Sequence, residues 1–258
     1  MSVADHVGLR RHHRRTSRPR RRMIRVATPI ARPIEAAPSI GRTVRRGEIL
    51  RKAIHMTPGT VPFALFLYPH PRVLPWESLL ILTVLTAILT GVYIASKKIV
   101  RRPNETDFYS TCLSYPACIL GMLLLFPQRP EFTCVVVVVL GLGDASAYIG
   151  GNLIGGRRLP WNPKKTWAGT ISFVLTAAPI ATLAYYLEAN TAALASWGTG
   201  GPLTTSLGMA ALCATTATVT AAVAESWATR LTDNLRVGVA ASVAVIAAYY
   251  LSASWFLA

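Results

Sequence analysis

A carboxylate and a pair of lysines lie in a stretch of the sequence that is otherwise mostly apolar. Asp144 follows a run of valines, and Lys164 and Lys165 come later in a loop bounded by prolines and followed by Trp167. An ionisable side chain at membrane depth costs about 2.5–3.5 kcal/mol on insertion scales and marks a candidate functional site. Ammonium groups bind phosphates, and carboxylate oxygens suit Mg²⁺. The combination predicts a site at which a metal ion bridges Asp144 to a phosphate.

Small residues accompany this carboxylate at a regular spacing. Gly143, Ala147, Gly151 and Gly155 recur at steps of four, which places them on one face of a helix. Such a face lets another backbone or a ligand approach closely. A simple helix-packing stripe explains the glycines equally well, but it does not explain Asp144.

The elements that position these residues are predicted to be membrane helices. The chain of 258 residues is 52% hydrophobic and only 15% charged, which is too apolar for a soluble domain of this size. The sequence predicts an all-α, polytopic helical bundle in residues 48–258, with about seven spans. The first is the weakest, because charged residues open it and two prolines interrupt it. The expected spans are 49–69, 77–96, 108–126, 132–154, 168–187, 206–228 and 237–256.

Charge is concentrated at the start of the chain. The net charge is +16, and residues 1–50 hold 13 arginines against three acids. We expect residues 1–47 to form a disordered basic tail that contacts anionic lipid headgroups, with no specific nucleic-acid partner, since no aromatic residues are interleaved. Met23 is an alternative start, and the arginine excess also fits a transit peptide.

The loops predict the topology. Basic loops alternate with loops that carry few bases, so the positive-inside rule predicts a cytoplasmic N-terminus and an external C-terminus. The expected location is the inner (plasma) membrane, with the polar residues facing the cytoplasm. Loop 188–205 is expected to be a flexible outer connection without chemistry. The basic loops are 97–102, 157–165 and 230–236.

Further polar residues gather on the predicted cytoplasmic side. Arg51, Lys52 and His55 open the first span, Glu225 ends the sixth, and Asp233 and Asn234 follow it. Each has an ordinary alternative, because cations and acids near span ends can simply reach the interface. The four cysteines form no CxxC or Cys/His cluster and are expected to be reduced core residues.

Three stretches together resemble a known family. Residues 143–170, which read GDASAYIGGNLIGGRRLPWNPKKTWAGT, are similar to the signature of CTP-using integral membrane lipid enzymes. These include phosphatidate cytidylyltransferase and the CTP-dependent kinases of dolichol, phytol and diacylglycerol. Residues 48–59 resemble the R-K-x-x-H-x-x-x-G motif of the kinase branch. Residues 224–226 and 233–235 resemble its late E-S/A and D-N-L motifs.

The resemblance favours a kinase over a cytidylyltransferase. The cytidylyltransferase branch usually carries a C-terminal Pro-Gly-His-Gly-Gly stretch, whereas no histidine follows His70 in this chain. The sequence also departs from the family pattern. Ala168 stands where glutamate is usual, and Thr232 replaces one of two paired acids, which puts full activity in question.

The resemblance implies CTP-dependent phosphoryl transfer to a lipid hydroxyl, with Mg²⁺ as cofactor. Asp144 and Glu225 would bind the metal, and Asp233 would join them as a catalytic carboxylate. Transfer of a cytidylyl group to phosphatidate is the alternative. A transporter or scaffold ranks lower, because the sequence has no inverted repeat and no polar path to both faces. The residues implied in nucleotide or phosphate binding are Lys164, Lys165, Asn162, Arg51, Lys52, Gly151 and Asn234, with Arg157 in support.

Overall fold

The computed structural model describes residues 46–71, 73–101, 108–229 and 231–257. The predicted basic tail lies outside these residues except for Arg46 and Gly47, which already belong to a helix. The helices are α1 (Arg46–Met56), α2 (Val61–Phe66), α3 (Trp76–Ala95), α4 (Lys97–Val100), α5 (Phe108–Leu125), α6 (Pro130–Val138), α7 (Asp144–Leu153), α8 (Trp167–Ala189), α9 (Thr191–Leu194), α10 (Leu207–Ser226) and α11 (Asp233–Leu257). A two-stranded antiparallel hairpin, β1 (Arg158–Leu159) and β2 (Asn162–Thr166), is the sheet found among the described residues.

The chain is an all-α integral membrane protein, as predicted. Within the described residues, six helices are long and apolar enough to cross a membrane. A helix satisfies every interior backbone hydrogen bond within itself, which is why hydrocarbon-spanning segments adopt it. The six are Trp76–Ala95, Phe108–Leu125, Pro130–Leu153, Trp167–Ala189, Leu207–Ser226 and Asp233–Ser252.

The first predicted span differs from the expectation, because residues 49–69 do not form one continuous α-helix. A 3₁₀ turn at Thr57–Thr60 separates α1 from α2, with Pro58 in its first turn and Pro62 in the first turn of α2. Proline lacks the amide hydrogen of a regular helix, so two prolines break the hydrogen-bond ladder here. The described residues therefore contain six long spans and one interrupted segment, α1–α2, where seven spans were predicted.

The two ends of the bundle are defined by long-range contacts. The hairpin end contains the β1–β2 hairpin, which bonds to Ser226 at the end of α10. The opposite end, which we call the His70 end, joins the loop residues 67–71, 73–75, 126–129 and 190–206. There Leu74 donates its amide hydrogen to the Pro127 carbonyl at 3.1 Å, and the Trp197 indole donates to the Phe66 carbonyl at 3.1 Å. The interrupted segment thus runs from one end of the bundle to the other.

Alanine allows the core helices to pack closely. Helix α10 turns Ala210, Ala214, Ala217 and Ala221 inward, and all four are fully buried against α8 and α11. Their spacing places them on one helix face, and small residues allow backbones to approach without a hydrophobic driving force. By contrast, α3 has no buried residue and packs mainly against α5 at the edge of the bundle. This leaves space between α3 and the α1–α2 segment.

Candidate active site at the hairpin end

Asp144 is the first residue of α7, directly after a π-helical turn. The turn covers Val139–Gly143 and interrupts the long Pro130–Leu153 span. π-helical turns inside α-helices are rare and often occur at functional sites. Here the turn changes the register of the helix just before the carboxylate. The sequence predicted the buried acid but not this interruption.

Asp144 forms a partly buried ion pair with Lys52 of α1. The Lys52 ammonium also lies 5.3 Å from the centre of the Tyr148 ring, within range of a cation–π interaction. His55, one helical turn further along α1, places its Nε2 atom 3.9 Å from the Asp144 carboxylate. Its ring meets the edge of Tyr115 with the centroids 5.1 Å apart. Lys52 and His55 therefore face the carboxylate, and each of them is in turn in contact with a tyrosine ring.

Two glycines allow Lys52 of α1 to come close to Asp144. A β-carbon on Gly141 would lie 3.0 Å from the amide nitrogen of Gly59 and 3.1 Å from the Tyr115 hydroxyl. A β-carbon on Gly59 would lie 3.1 Å from the Leu142 side chain. The 3₁₀ turn and the π-helical turn thus touch backbone to backbone. This contact holds Lys52 opposite Asp144.

A second set of charges involves Lys165. Its ammonium forms an ion pair with the buried Glu225 of α10 and lies 3.5 Å from Asp233. Arg236 reaches the other oxygen of Asp233 at 2.7 Å. Burial alone would lower the pKa of Lys165, but Glu225 and Asp233 outweigh burial and hold that pKa above its ordinary value. Lys165 is therefore a fixed cation at every physiological pH.

The two lysines predicted to lie in a loop belong to strand β2. Alternation along the strand turns Lys165 toward Glu225 and leaves Lys164 exposed. Asn162 anchors the strand, since its side chain donates to the Ser226 carbonyl at 2.9 Å and accepts from the Lys164 amide at 3.2 Å. The Trp161 indole donates to the Ser226 hydroxyl at 3.1 Å. Asn162 thus has a clear structural role in the hairpin.

The remaining predicted residues have varied roles. Arg51 and Lys52 line the same cavity. Gly151 faces Thr166, whose hydroxyl would lie 3.1 Å from an added β-carbon, so the glycine is needed for packing. Asn234 ties α11 to α5 by donating to the Thr111 carbonyl at 3.0 Å. The Arg157 carbonyl accepts a hydrogen bond from the Trp167 amide.

The small-residue face is only partly realised. Gly143 packs against Phe173, and Ala147 approaches Gly169 of α8. Gly155 lies beyond the end of α7 with a φ of +68°, a conformation that favours glycine. The stripe therefore packs α7 against α8 over three positions instead of four.

These residues line one end of a large cavity of about 1270 Å³. At the hairpin end its wall is polar and includes both lysine–carboxylate pairs. Between the helices it continues as an apolar groove, bounded by α1–α2, α3 and α5. The groove side chains include Leu65, Ile81, Leu85, Leu89, Ile119 and Leu123. This shape suits an amphiphile whose head lies at the hairpin end.

The carboxylates fit a magnesium ion that is held partly by a substrate. Among the described residues, no three His, Cys, Asp or Glu side chains form a ready-made metal cluster. Mg²⁺ often uses one or two carboxylates and completes its octahedron with waters and substrate phosphates. Asp144 and Glu225 supply such oxygens, and Lys165 feels the charge of both. The set can hold a metal only together with phosphates.

Sequence reasoning missed Tyr115 and Tyr148, which touch His55 and Lys52. Tyr148 lies four residues after Asp144 on the same helix face, a spacing that could have identified it. Tyr115 offers no such signal, since it comes from a separate span. All four cysteines are buried and none is in a disulfide, as predicted.

Comparison with known proteins identifies a family. The family model described as the cytidylyltransferase family matches residues 43–251. This range includes every site residue described above. A comparison with curated proteins and one with solved structures each find no match.

Proposed function

Since the chain belongs to the cytidylyltransferase family, we propose that it transfers a phosphoryl group from CTP to the hydroxyl of a membrane lipid alcohol. Family membership supports the broader statement that it is an enzyme transferring phosphorus-containing groups. One observation carries the proposal: two lysine–carboxylate pairs lie at the polar end of a cavity that continues as an apolar groove. Polyprenol, phytol and diacylglycerol are acceptors of the required chemistry.

The nucleotide is assigned to the hairpin end because the cations are there. Lys164, Lys165, Arg51 and Lys52 all line that part of the cavity. Phosphoryl transfer requires mainly positioning and charge stabilisation, which fixed cations provide. Lys165 already has neighbouring carboxylates and a raised pKa, so it would enter the reaction charged. Lys164, exposed and on the same strand, is free to reach the outer phosphates.

Asp144 and Glu225 would hold Mg²⁺ against the phosphates, and Asp233 would support them. The metal, when bound, would offset negative charge on the transferred phosphoryl group. The protein's own contribution is to hold these carboxylates beside lysines, so that charges alternate across the site. Asn162 and Asn234 contribute by fixing the hairpin and the start of α11.

In the proposed reaction the lipid hydroxyl oxygen bonds to the γ-phosphorus of CTP. The bond from that phosphorus to the β–γ bridging oxygen breaks, CDP leaves, and the hydroxyl proton is released. The alternative is transfer of the cytidylyl group to phosphatidate, which the name of the matching family favours. There a phosphatidate oxygen bonds to the α-phosphorus, and pyrophosphate leaves.

A transporter is disfavoured by the wall of the cavity. Polar residues do occur at the His70 end, contrary to the expectation that they gather only at one end. In the part of the chain that the structure describes, however, most side chains of α3 and α5 that line the region between the two ends are apolar, although hydroxyl groups such as those of Thr86 and Thr90 also line it. A transport path for a polar solute needs polar groups along its whole length.

Parallel reactions with CTP labelled at different phosphates distinguish the two transfers. Purified protein receives a lipid alcohol or phosphatidate together with CTP labelled at either the α- or the γ-phosphate. A kinase moves the γ-label to the alcohol and releases CDP, whereas a cytidylyltransferase moves the α-label to phosphatidate and releases pyrophosphate. Asp144→Asn serves as the control for contaminating enzymes. Absence of label in every lipid would contradict the proposal.

The distribution of basic residues supports a location for the protein and a lipid partner for its tail. We place the hairpin end in the cytoplasm, at the inner (plasma) membrane, because the hairpin and α4 concentrate lysine and arginine there. The basic tail, residues 1–47, would contact anionic lipid headgroups. No specific nucleic-acid partner is proposed.

A further inference from the structure

A second polar cluster lines the cavity at the His70 end, far from the lysines. Glu188 at the end of α8, Thr133 of α6 and His70 form it, and their exposed fractions are 3%, 5% and, for the His70 side chain, 7%. We call this the His70 pocket. The proposed phosphate chemistry makes no use of it. Loop 188–205, expected to carry no chemistry, supplies Trp197, which packs on the His70 ring at 5.3 Å.

The three side chains present hydrogen-bond acceptors. Within the described residues, His70 Nε2, Thr133 Oγ1 and Glu188 Oε2 make no hydrogen bond. His70 Nδ1 lies 3.3 Å from the Pro71 carbonyl, which can only accept, and in the tautomer that donates there Nε2 is an acceptor. Nε2 lies 3.7 Å from the Glu188 carboxylate, beyond hydrogen-bond distance.

A carboxyl group in the pocket can pair with a positively charged ligand. The Glu188 side chain lies beside the His70 ring, and Arg129 lies 3.4 Å from Glu131, the other buried acid of this region. A buried acceptor without a donor costs about 1–3 kcal/mol, and more when it is charged. A ligand that supplies several donors and one positive charge would remove this cost.

We propose that the His70 pocket binds the primary ammonium group of an amphiphile. A primary ammonium carries three donors and one positive charge, matching three acceptors and one carboxylate. A hydroxyl has one donor, and a quaternary ammonium has none. The pocket opens into the apolar groove through Leu74 and Leu123, so the ligand's chain lies in the groove with its head opposite the reacting lipid.

The test uses thermal unfolding of the full-length purified protein without CTP. Dodecylamine should raise the unfolding midpoint at concentrations where dodecyltrimethylammonium, of equal charge, and dodecanol do not. Soluble ethanolamine should have at most a small effect, since it lacks the chain. Equal protection by the trimethyl compound would overturn the proposal, as would no protection by dodecylamine. Strong protection by ethanolamine would instead show that the pocket binds free amines, and it would contradict the proposal that the ligand is an amphiphile.

Variants of the pocket residues test where dodecylamine binds. Glu188→Gln and Thr133→Val should each weaken the apparent affinity for dodecylamine by tenfold or more. Glu77→Gln is the matched control, because Glu77 is an exposed acid in the first turn of α3 at the same end. Unchanged affinity in both pocket variants contradicts the assignment.

A photoreactive dodecylamine provides a measurement that needs no variant. It should label peptides containing residues 68–71 or 130–134, in competition with unlabelled dodecylamine. Labelling confined to residues 155–165 would place the amine at the hairpin end and refute the proposal. Neither experiment depends on the transferase reaction, so the pocket and the proposed function stand or fall separately.

Discussion

Lys52 and Asp144 form a partly buried ion pair across 92 positions of the sequence. The pair joins α1, the first part of the interrupted segment, to α7, which begins after the π-helical turn. Breaking a buried pair by removing one partner commonly costs about 3–5 kcal/mol, because the other charge remains without compensation. The contact is therefore important for the structure as well as for the proposed chemistry.

The first prediction separates those two roles of Asp144. Asp144→Asn should lower turnover at least about a hundredfold, the scale of losing one electrostatic group at a reacting centre. It should also lower the unfolding midpoint, because Lys52 loses its counter-charge. The double variant Lys52→Met with Asp144→Asn should recover most of the midpoint but none of the turnover. Recovery of turnover, measured with CTP and lipid alcohol, would assign Asp144 a purely structural role.

The second prediction concerns the phosphate-binding lysines. Lys164→Gln should weaken CTP binding roughly tenfold, the effect of losing one charge-assisted hydrogen bond, and leave the unfolding midpoint unchanged. Lys165→Gln should reduce both the affinity for CTP and the unfolding midpoint, because Glu225 then stays buried without its partner. Calorimetric titration and thermal unfolding measure the two quantities.

CMP is the control ligand for these lysines, since it lacks the outer phosphates. The double variant Lys164→Gln with Lys165→Gln should lose much less affinity for CMP than for CTP. An equal loss for both nucleotides would mean that the substitutions disturb the hairpin generally and do not remove a phosphate clamp.

The third prediction tests the glycine contact that positions α1. Gly141→Ala should reduce turnover more than tenfold, because its new methyl group would push against the Gly59 backbone and move Lys52 away from Asp144. Overpacking of this kind costs about 1–3 kcal/mol. Gly91→Ala is the control, since nothing lies within 4 Å of a β-carbon at that position of α3. Normal turnover in Gly141→Ala would contradict the positioning role.

The fourth prediction concerns orientation in the membrane. A single cysteine at Pro160, in a chain without its native cysteines, should react with an impermeant reagent only from the cytoplasmic side. A cysteine at Ser196, in an exposed loop at the His70 end, should react only from the other side. Labelling of position 160 from outside alone would reverse the topology and the proposed location of the site.

Local sequence determined the helices. Six long apolar stretches form the six long spans within a few residues of their predicted bounds, because a backbone in hydrocarbon must satisfy its own hydrogen bonds. The motif around Asp144 likewise identified the family, since its residue types and spacing lie in one continuous stretch. The broken first span was partly foreseeable, since Pro58 and Pro62 are visible in the sequence.

Tertiary structure decided which residues meet. The sequence names Lys52, Asp144, Lys165 and Glu225, but only packing selects Lys52 for Asp144 and Lys165 for Glu225, across long separations. The periodicity and hydropathy of a sequence describe one helix at a time, whereas the pairing of side chains depends on how close two backbones come. The contact of Gly59 with Gly141 sets that distance here. The His70 pocket was hidden for the same reason, because its three acceptors come from three separate elements and meet only in the folded bundle.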